Sequence, residues 1–400
     1  MSEHLYIIVG TAYLECDEEM VKNRFLKNSV SVSNTVFERK LFSGFKDNGA
    51  NIMFLSCPHL GYFPTSLKKL SIKGLTSSED FFTLKYNALL GFAGLSKAKA
   101  FKRKLSSIKK TTDPSTKIHL IVCEMHKPYL DAAKFAKKTK IVDDVTLLVP
   151  DLPEHNVRSK NPIYKSLKRK NVSQIYNLVD SFVDKFVFFS SPMVSKINTN
   201  GRNYIINEGI SNCDKPFDNT IENRDGKKHI VFIGKLDNRN GIQLIYNSAK
   251  EITDDSIVFD LYGVGGTDLD ASKITELKNV NNRGFLKPSD VKNVLREADI
   301  LLSPRFSNDE YTKYSFPSKM FDYLESGKPI ITFKLESYPA ELDELVYYPE
   351  SETSESLTLE IQKVLTNDEK YKNRIEKYSA FLSKYNKRQV AAKIIELINK

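Results

Sequence analysis

The chain has 400 residues, and its 40% hydrophobic and 11% aromatic content is enough to build buried cores, which excludes a disordered protein. Its length predicts two domains, at most three, and no apolar stretch approaches the roughly 20 residues of a membrane-spanning helix. The four cysteines are far apart and form no CxxC pair, so we expect a reduced cytosolic protein without disulfides or a zinc site. The amino terminus has no basic or small-residue pattern of a secretory signal.

Positive charge is concentrated in the first half of the chain. Residues 1–200 carry 31 Lys and Arg against 18 Asp and Glu, a net of +13, whereas residues 201–400 carry 29 against 32, a net of −3. Residues 65–110 have eleven basic and two acidic side chains, and residues 158–170 have six basic side chains and no acid. This asymmetry favours an anionic partner, such as a phospholipid surface, a nucleic acid or a polyphosphate; a solvated lysine-rich surface is the alternative.

Apolar runs and amphipathic segments alternate along the first half. The apolar runs predict strands at Leu5–Val9, Asn51–Ser56, Ile118–Cys123, Val145–Val149 and Phe186–Ser190. Helices are predicted between them, at residues 32–46 and Tyr129–Lys138. Strands that alternate with helices are typical of a parallel α/β sheet joined by crossovers.

A segment rich in Asn, Asp and Gly, at residues 198–228, predicts a domain boundary, and the alternation then begins again. The second set of strands is predicted at His229–Gly234, Ile257–Tyr262, Asp299–Ser303 and Pro329–Phe333. Helices are predicted at Gly241–Lys250, at Lys319–Glu325 and over residues 367–400. We therefore expect an α/β fold of two doubly wound, Rossmann-like domains facing a central cleft, with C-terminal helices.

The segment Asp309–Pro329 joins a polar loop to a short helix bounded by proline and glycine. Free backbone amides at the helix start, near Ser318 and Lys319, would suit a phosphate. Asp322 lies one turn inside the helix, where its carboxylate could accept two hydrogen bonds from a ribose diol. The alternative is a capped helix with a solvated acid.

Two further turns follow strands of the second domain. The backbone of Gly263-Val264-Gly265-Gly266 could approach a phosphate closely, although a strand-to-helix turn needs glycine in any case. Gly234-Lys235 and Arg239 place cations at the same sheet edge, where they could neutralise a diphosphate. Solvated loop cations are the alternative.

Four ordered segments, FIGKLDNRNGI, LYGVGG, NNRGFL and ADILLSPRFSNDEYTKYSFPSKMFDYLESGKPII, resemble the donor domain of glycosyltransferase family 4. That family has the GT-B fold and contains retaining transferases that use nucleotide sugars; the sequence most resembles bacterial members that build capsule, exopolysaccharide or O-antigen. The resemblance covers about 145–345, including Asn207-Glu208-Gly209 and Val149–Glu154, and is weak over 60–115. It implies an acceptor domain at 1–200, a donor domain at 201–375 and a C-terminal helix at 376–400. Whether that helix crosses back to the first domain is left open.

The family's Glu-x7-Glu motif contacts the donor sugar with its first acid and the ribose with its second. The second acid falls on Asp322, whereas Tyr314 stands in the place of the first. Glu310 and Lys313 are the nearby replacements. The resemblance implies that further donor-binding positions are Gly10, Gly234, Gly263, Gly265, Tyr314, Ser315, Phe316, Pro317, Ser318 and Lys319.

The resemblance also implies a set of catalytic groups. The family's two donor-phosphate cations fall on Lys235 and near Arg239, although the strict second position is occupied by Asn240. Many relatives carry a histidine at the end of a strand of the first domain, where this chain has Asp151, with a simple turn as the alternative. The predicted catalytic residues are Asp151, Lys235, Arg239 and Glu310.

The resemblance implies retaining transfer of a sugar, with a UDP-sugar favoured as donor, to a saccharide acceptor linked to polyprenyl diphosphate. The implied role is bacterial surface polysaccharide synthesis on the inner face of the plasma membrane. No metal or other cofactor is expected, because basic groups and amides would stabilise the leaving diphosphate. A transferase acting on DNA, protein or a soluble metabolite and a non-catalytic GT-B-like subunit are the alternatives, and nucleic acid is not favoured.

A membrane contact is predicted at Ser96–Lys110, which holds seven basic residues and no acid. Phe101, Leu105 and Ile108 would share one face of a helix there, and the apolar segment 88–93 precedes it. These residues would then insert into an anionic interface. The alternative is that they pack on the core of the first domain while the lysines face water.

Overall fold

The computed structural model describes residues 3–27, 33–156, 162–217, 225–265, 276–368 and 371–400. They form two compact units, one of Met1–Ile210 with Lys387–Lys400 and the other of Ser211–Asn386. In the described residues, no helix is long and apolar enough to span a bilayer.

In its described part, the first unit contains a seven-stranded sheet whose neighbouring strands all pair in parallel. A short antiparallel pair lies apart from it, β3 (Ser71–Ile72) with β5 (Tyr86–Asn87). The strands of the large sheet are β1 (His4–Gly10), β2 (Ile52–Ser56), β4 (Phe81–Thr83), β6 (Lys117–Val122), β7 (Asp144–Val149), β8 (Lys185–Phe188) and β9 (Tyr204–Ile206). Their order is β4-β2-β1-β6-β7-β8-β9, so the direction of winding reverses between β1 and β6. Open α/β sheets bind ligands at the carboxyl ends of their strands, at such a reversal.

Helices cover this sheet. They are α1 (Ser33–Asp47), α2 (Ala93–Thr111), α3 (Lys127–Lys138), α4 (Pro162–Phe182) and α5 (Met193–Lys196), with short helical turns at Glu15–Asp17, Glu18–Met20, Val21–Phe25 and Pro153–Asn156. The central strands β1, β6 and β7 are buried at every residue after their first, because helices cover both faces of the sheet, whereas the edge strand β9 is partly exposed.

Helix α2 directs its apolar face into the core of the first unit. Phe101 and Leu105 are fully buried, Ile108 is almost fully buried, and the ring of Phe101 lies 5.3 Å from that of Tyr129 on α3. The predicted contact of these three side chains with a membrane is therefore wrong. The face that these three side chains share packs inside the first unit, against α3. Most lysines of α2 therefore lie on its outer side.

The second unit has the same topology on a smaller scale. In its described part a parallel sheet has the order β12-β11-β10-β13-β14, which reverses between β10 and β13. The strands are β10 (Lys228–Ile233), β11 (Ile257–Tyr262), β12 (Val280–Gly284), β13 (Ile300–Ser303) and β14 (Ile330–Thr332). The helices are α6 (Ile242–Glu251), α7 (Pro288–Glu297), α8 (Glu310–Tyr314), α9 (Lys319–Ser326), α10 (Ser354–Thr366) and α11 (Tyr371–Lys384), with short turns at Asn238–Asn240 and Ala340–Glu344. Separate apolar clusters cover its two faces, one around Phe259 and Leu302 and one around Leu301 and Tyr378.

The last helix, α12 (Lys387–Asn399), belongs to the first unit and packs on α1. The backbones approach closely at Gly44, where a Cβ would lie 2.1 Å from the carbonyl oxygen of Lys387. The side-chain amide of Asn48 donates a hydrogen bond to the backbone carbonyl of Arg388 at 2.8 Å, and the Lys387 ammonium forms an ion pair with Asp47 at 2.9 Å. Only glycine at position 44 permits this contact.

Candidate active site

In the second unit, the loops after β10 and β11 meet through their backbones. The amide of Gly234 donates to the carbonyl of Tyr262 at 2.8 Å. Gly263 has a φ of +157°, and a Cβ there would come within 1.6 Å of the carbonyl oxygen of Gly234. Both predicted glycines thus lie at the carboxyl edge of the sheet, where a side chain at 263 would push the loops apart.

Lys235 projects from the first of these loops. Its ammonium pairs with Asp237 at 2.9 Å, and its Cε lies 3.6 Å from the position a Cβ would take at Gly265. The two predicted donor-binding positions, 235 and 265, are therefore brought together. Gly266 of the same motif lies outside the described residues.

The turn Asn238–Asn240 holds both positions considered for a second phosphate cation. Asp237 caps this turn and accepts a hydrogen bond from the Asn240 side chain at 2.7 Å. Asn240 is thereby held by its own loop. Arg239 is half exposed, and its Nε lies 3.9 Å from a carboxylate oxygen of Asp309.

Helix α9 begins at Lys319 after Phe316, Pro317 and Ser318. The Lys319 ammonium crosses to the end of β10 and donates to the carbonyl of Ile233 at 2.8 Å. The backbone hydrogen bonds of the helix begin with the amide of Met320, which donates to the carbonyl of Pro317 at 2.8 Å. The helix start therefore lies at the same sheet edge as Lys235, as the phosphate-site prediction requires.

Asp322 lies in the first turn of α9, partly open to solvent. Its Oδ1 accepts a hydrogen bond from the side-chain amide of Asn212 at 3.2 Å. The same amide donates to Glu325 at 2.7 Å, and Glu325 is fully buried. Asn212 therefore orients Asp322 from outside the helix, while Glu325 anchors the segment that carries Asn212.

Arg305 was not predicted as a site residue. It follows β13 and faces the same region. Burial, followed by the nearby Arg305 guanidinium, lowers the pKa of Lys319 to about 8. Burial raises the pKa of Tyr323 and of Tyr338, and the Arg305 guanidinium offsets part of that rise. Arg305 stands just after a strand, as Lys235 does, so the rule that selected Lys235 would have found it too.

Tyr314, which stands in the place of the sugar-contacting acid, is buried at the end of α8. Its neighbour Ser315 is also buried, and its carbonyl accepts a hydrogen bond from Ser337 at 3.3 Å. Glu310 is exposed at the start of α8, and Lys313 pairs with Glu336 at 2.9 Å. Glu310 is thus the more accessible of the two replacements.

In the first unit, the loop after β1 is held by Glu38 of α1. One carboxyl oxygen of Glu38 accepts hydrogen bonds from the backbone amides of Thr11 and Ala12, at 2.7 and 2.6 Å. A Cβ at Gly10 would lie 2.6 Å from that oxygen, so the glycine makes room for the carboxyl group. Burial, followed by the charge of Glu124, raises the pKa of Glu38 well above its usual range.

Four titratable side chains surround the neighbouring strand ends of the first unit: Asp151 after β7, Glu124 and His126 after β6, and His59 after β2. Glu124 accepts a hydrogen bond from Asn34 at 2.6 Å, and burial together with Asp151 raises its pKa. Asp151, the residue predicted from sequence, is therefore one of a cluster of acids.

The imidazole rings of His59 and His126 lie 5.3 Å apart. His59 is exposed, yet protein surrounds it closely enough that desolvation, followed by the buried Lys97 ammonium, lowers its pKa to about 4. Burial also lowers the pKa of His126 well below its usual range. Among the described residues, Nδ1 of His126 is buried and has no hydrogen-bond partner. His126 was not predicted as a site residue, although it closely follows a strand as Asp151 does, and that position is the signal that could have found it.

No group of three His, Cys, Asp or Glu side chains in the described ranges is arranged to hold a metal ion. The basic segment 158–170 lies partly outside those ranges, at residues 158–161.

Comparison with known proteins identifies the second unit. Residues 227–367 match the family model for glycosyl transferases group 1. This match shows that the second unit contains a glycosyltransferase domain. No curated protein matches this sequence significantly.

Solved structures of glycosyltransferases show that this chain has the GT-B fold. It is similar to an α,α-trehalose-phosphate synthase from Burkholderia xenovorans, with a TM-score of 0.65 at 10% identity over 99% of this chain and 100% of that one. Sucrose-phosphate synthase from Thermosynechococcus elongatus gives 0.64 at 11% over 99% and 98%. HepE from Anabaena, solved with UDP and glucose, gives 0.60 at 11% over 100% of both chains. The similarity therefore extends through both units.

Proposed function

We propose that the enzyme transfers a sugar, with retention, from a nucleotide diphosphate sugar to a saccharide acceptor. The observation that carries the proposal is the meeting of Lys235, Lys319 and Asp322 at one edge of the second unit. Cations and helix amides there suit a diphosphate, and a nearby carboxylate suits a ribose diol. The solved complex of HepE with UDP and glucose supports a uridine nucleotide as the first donor to test.

Transfer with retention requires the diphosphate to leave while the anomeric carbon becomes oxocarbenium-like. The acceptor hydroxyl then attacks from the same face, and the leaving phosphate takes its proton. Catalysis would come from positioning and charge stabilisation. Fixed cations and amides are suited to this because they need no rearrangement as negative charge develops.

For the acceptor we propose the strand ends of the first unit. His126 offers a buried Nδ1 without a partner among the described residues, and its lowered pKa keeps the ring neutral at pH 7. A neutral imidazole can accept or donate a hydrogen bond to a sugar hydroxyl. Asp151 and Glu124 supply further acceptors for the same polyol.

The direct test is nucleotide release from a panel of UDP- and GDP-sugars, with product stereochemistry followed by NMR. We expect release with at least one donor and an α product from an α-linked donor. Absence of binding and release with every donor would contradict the proposal. Binding without turnover across a broad panel of acceptors would instead favour a non-catalytic subunit.

We further propose that the acceptor is lipid-linked and that the first unit contacts an anionic membrane through the predicted segments 88–93 and Ser96–Lys110, but without the buried Phe101, Leu105 and Ile108. Leu90, Phe92 and Leu95 are exposed by 56, 62 and 70% before and at the start of α2. A cavity of about 360 Å³ lies beside α2, and four cations line it: Lys85, Lys99, Arg103 and Lys104. Exposed apolar side chains next to basic ones fit an interface of acyl chains and anionic headgroups.

Liposome sedimentation tests this surface. Wild-type protein should bind vesicles with anionic lipid better than neutral ones, and salt should weaken the binding because surface charges are screened. Leu95→Ser should reduce binding, whereas Leu359→Ser, which changes a side chain exposed by 65% in the second unit, should not. Equal binding to both vesicle types, or to neither, would favour a soluble acceptor.

A further inference from the structure

Three cations at the carboxyl edge of the second unit already have carboxylate partners. The ion pairs are Lys235 with Asp237 at 2.9 Å, Arg239 with Asp309 at 3.9 Å and Lys313 with Glu336 at 2.9 Å. Each carboxylate cancels much of the positive charge that its partner would offer to a ligand. A phosphate arriving near these three side chains would compete with an acid already in place.

Arg305 and Lys319 differ from them. Among the described residues, no carboxylate forms an ion pair with either side chain, and both are only partly exposed. Arg305 follows β13, the neighbour of β10 in the sheet, and the Lys319 ammonium donates to the carbonyl of Ile233 at the end of β10, a hydrogen bond that leaves its charge uncancelled. The hydroxyl of Tyr323, on the same helix as Lys319, joins these two strand ends through Ile233 and Leu302. The pKa of Lys319, lowered by burial and then by Arg305, agrees with this placement. Asp322 attracts Lys319 from within the same helix turn and takes its hydrogen bond from Asn212.

We propose that Arg305 and Lys319 bind the diphosphate of the donor, with Arg305 supplying the second cation that Asn240 cannot supply. The inference rests on the proposed function, because it assigns residues to the leaving group of that reaction. Two like charges held together become favourable when an anion lies between them, and a diphosphate carries the charge to compensate both. The guanidinium can also form two parallel hydrogen bonds to phosphate oxygens, which an ammonium cannot.

The pair also explains why the loop after β10 tolerates an uncharged residue at position 240. Asn240 is engaged with Asp237 at 2.7 Å and so serves the turn. The charge lost from that loop is replaced from the loop after β13, on the other side of the reversal in strand order. Both loops end at the same sheet edge, so a diphosphate there is reached from either side.

Calorimetric titration of the full-length protein tests the assignment, with UDP, GDP, uridine and inorganic pyrophosphate as probes. Arg305→Gln should weaken binding of UDP and pyrophosphate at least tenfold, about 1.4 kcal/mol, and leave uridine unchanged. Arg305→Lys should recover part of the loss, because it keeps the charge without the two-pronged geometry. Lys363→Gln, which removes an exposed lysine of α10, is the control for net charge and should change none of these affinities.

The outcomes separate this inference from the proposed function. Unchanged UDP affinity in a folded Arg305→Gln protein would overturn the role of Arg305 and leave nucleotide binding intact. Pyrophosphate binding that depends on Arg305, without binding of any nucleotide, would support the anion site and refute the nucleotide-sugar donor. Failure of the wild-type protein to bind any of the probes would refute both.

Discussion

Replacing Asp322 by alanine is the sharpest test of how the second unit would hold a nucleotide. The side chain is partly open to solvent and accepts a hydrogen bond from the side-chain amide of Asn212 at 3.2 Å. Its removal should leave the segment around Asn212 in place, since Asn212 keeps its bond to the buried Glu325. A ribose that donates to the carboxylate would, in contrast, lose its partner entirely.

The expected size of the effect follows from the charge of the carboxylate. A hydrogen bond to a charged group contributes about 1.5–3 kcal/mol, so Asp322→Ala should weaken UDP and uridine binding by about ten- to 150-fold. Uridine should be affected as strongly as UDP, because both present the same ribose diol. This distinguishes Asp322 from Arg305, whose loss should affect only ligands that carry phosphate.

Calorimetry and urea denaturation of each variant measure the two effects separately. Glu325→Gln is the contrasting variant, because Glu325 is fully buried and receives hydrogen bonds from both the backbone and the side chain of Asn212. It should lower the free energy of unfolding by about 1–3 kcal/mol. A folded Asp322→Ala protein that binds uridine as tightly as wild type would show that Asp322 does not contact the ribose.

Three further results are expected. Gly263→Ala should lower the free energy of unfolding by about 3 kcal/mol in urea, because its Cβ would lie 1.6 Å from the carbonyl oxygen of Gly234. Gly265→Ala should cost only about 1 kcal/mol, because its Cβ would make an ordinary contact at 3.6 Å with Lys235 and only the φ of +76° is unfavourable for alanine. Nucleotide release should persist in EDTA, since protein cations are expected to neutralise the diphosphate; loss that Mg²⁺ restores would contradict this. The free energy of unfolding should fall between about pH 6.5 and pH 4, because unfolded His59 binds a proton through that window while the folded side chain, with its pKa lowered to about 4, does not. His59→Gln should flatten that pH profile, and an unchanged profile would assign the titration to other groups.

The sequence predicts the two α/β sheets well, and the reason is visible in their strands. Leu5–Val9, Val145–Val149 and Ile257–Tyr262 are continuous apolar runs, and each is a strand that is buried on both faces. Such runs need no information from distant residues. The short pair of β3 and β5 was not predicted, because two-residue strands carry no periodic pattern.

Helix α2 shows where periodicity stops being informative. The spacing of Phe101, Leu105 and Ile108 correctly places them on one helical face. It does not say whether that face meets a membrane or the protein's own core, since both are apolar. The core takes it here, and the exposed apolar side chains lie at the other end of the segment, at Leu90, Phe92 and Leu95.

The candidate cations show a similar limit. Lys235 and Arg239 were predicted from their places after a strand, but the partner of Arg239 is Asp309, 70 positions away along the chain. No local pattern reveals such a pairing. Arg305 remains without a carboxylate among the described residues, and that property can be read only from the folded chain.

Gly10 and Gly234 occupy comparable places in the two units, because each lies at the carboxyl end of the first strand of a sheet whose strand order reverses. A missing side chain at such a position admits a ligand or another part of the protein. At Gly10 the space is filled by Glu38, whose carboxyl group already accepts hydrogen bonds from the backbone amides of Thr11 and Ala12. An anionic ligand at that loop would have to displace a buried acid. In the second unit the corresponding edge presents Arg305 and Lys319, with which no carboxylate of the described residues forms an ion pair. Under the proposed assignment the diphosphate therefore binds at that edge, and the strand ends of the first unit receive the hydroxyl groups of the acceptor sugar.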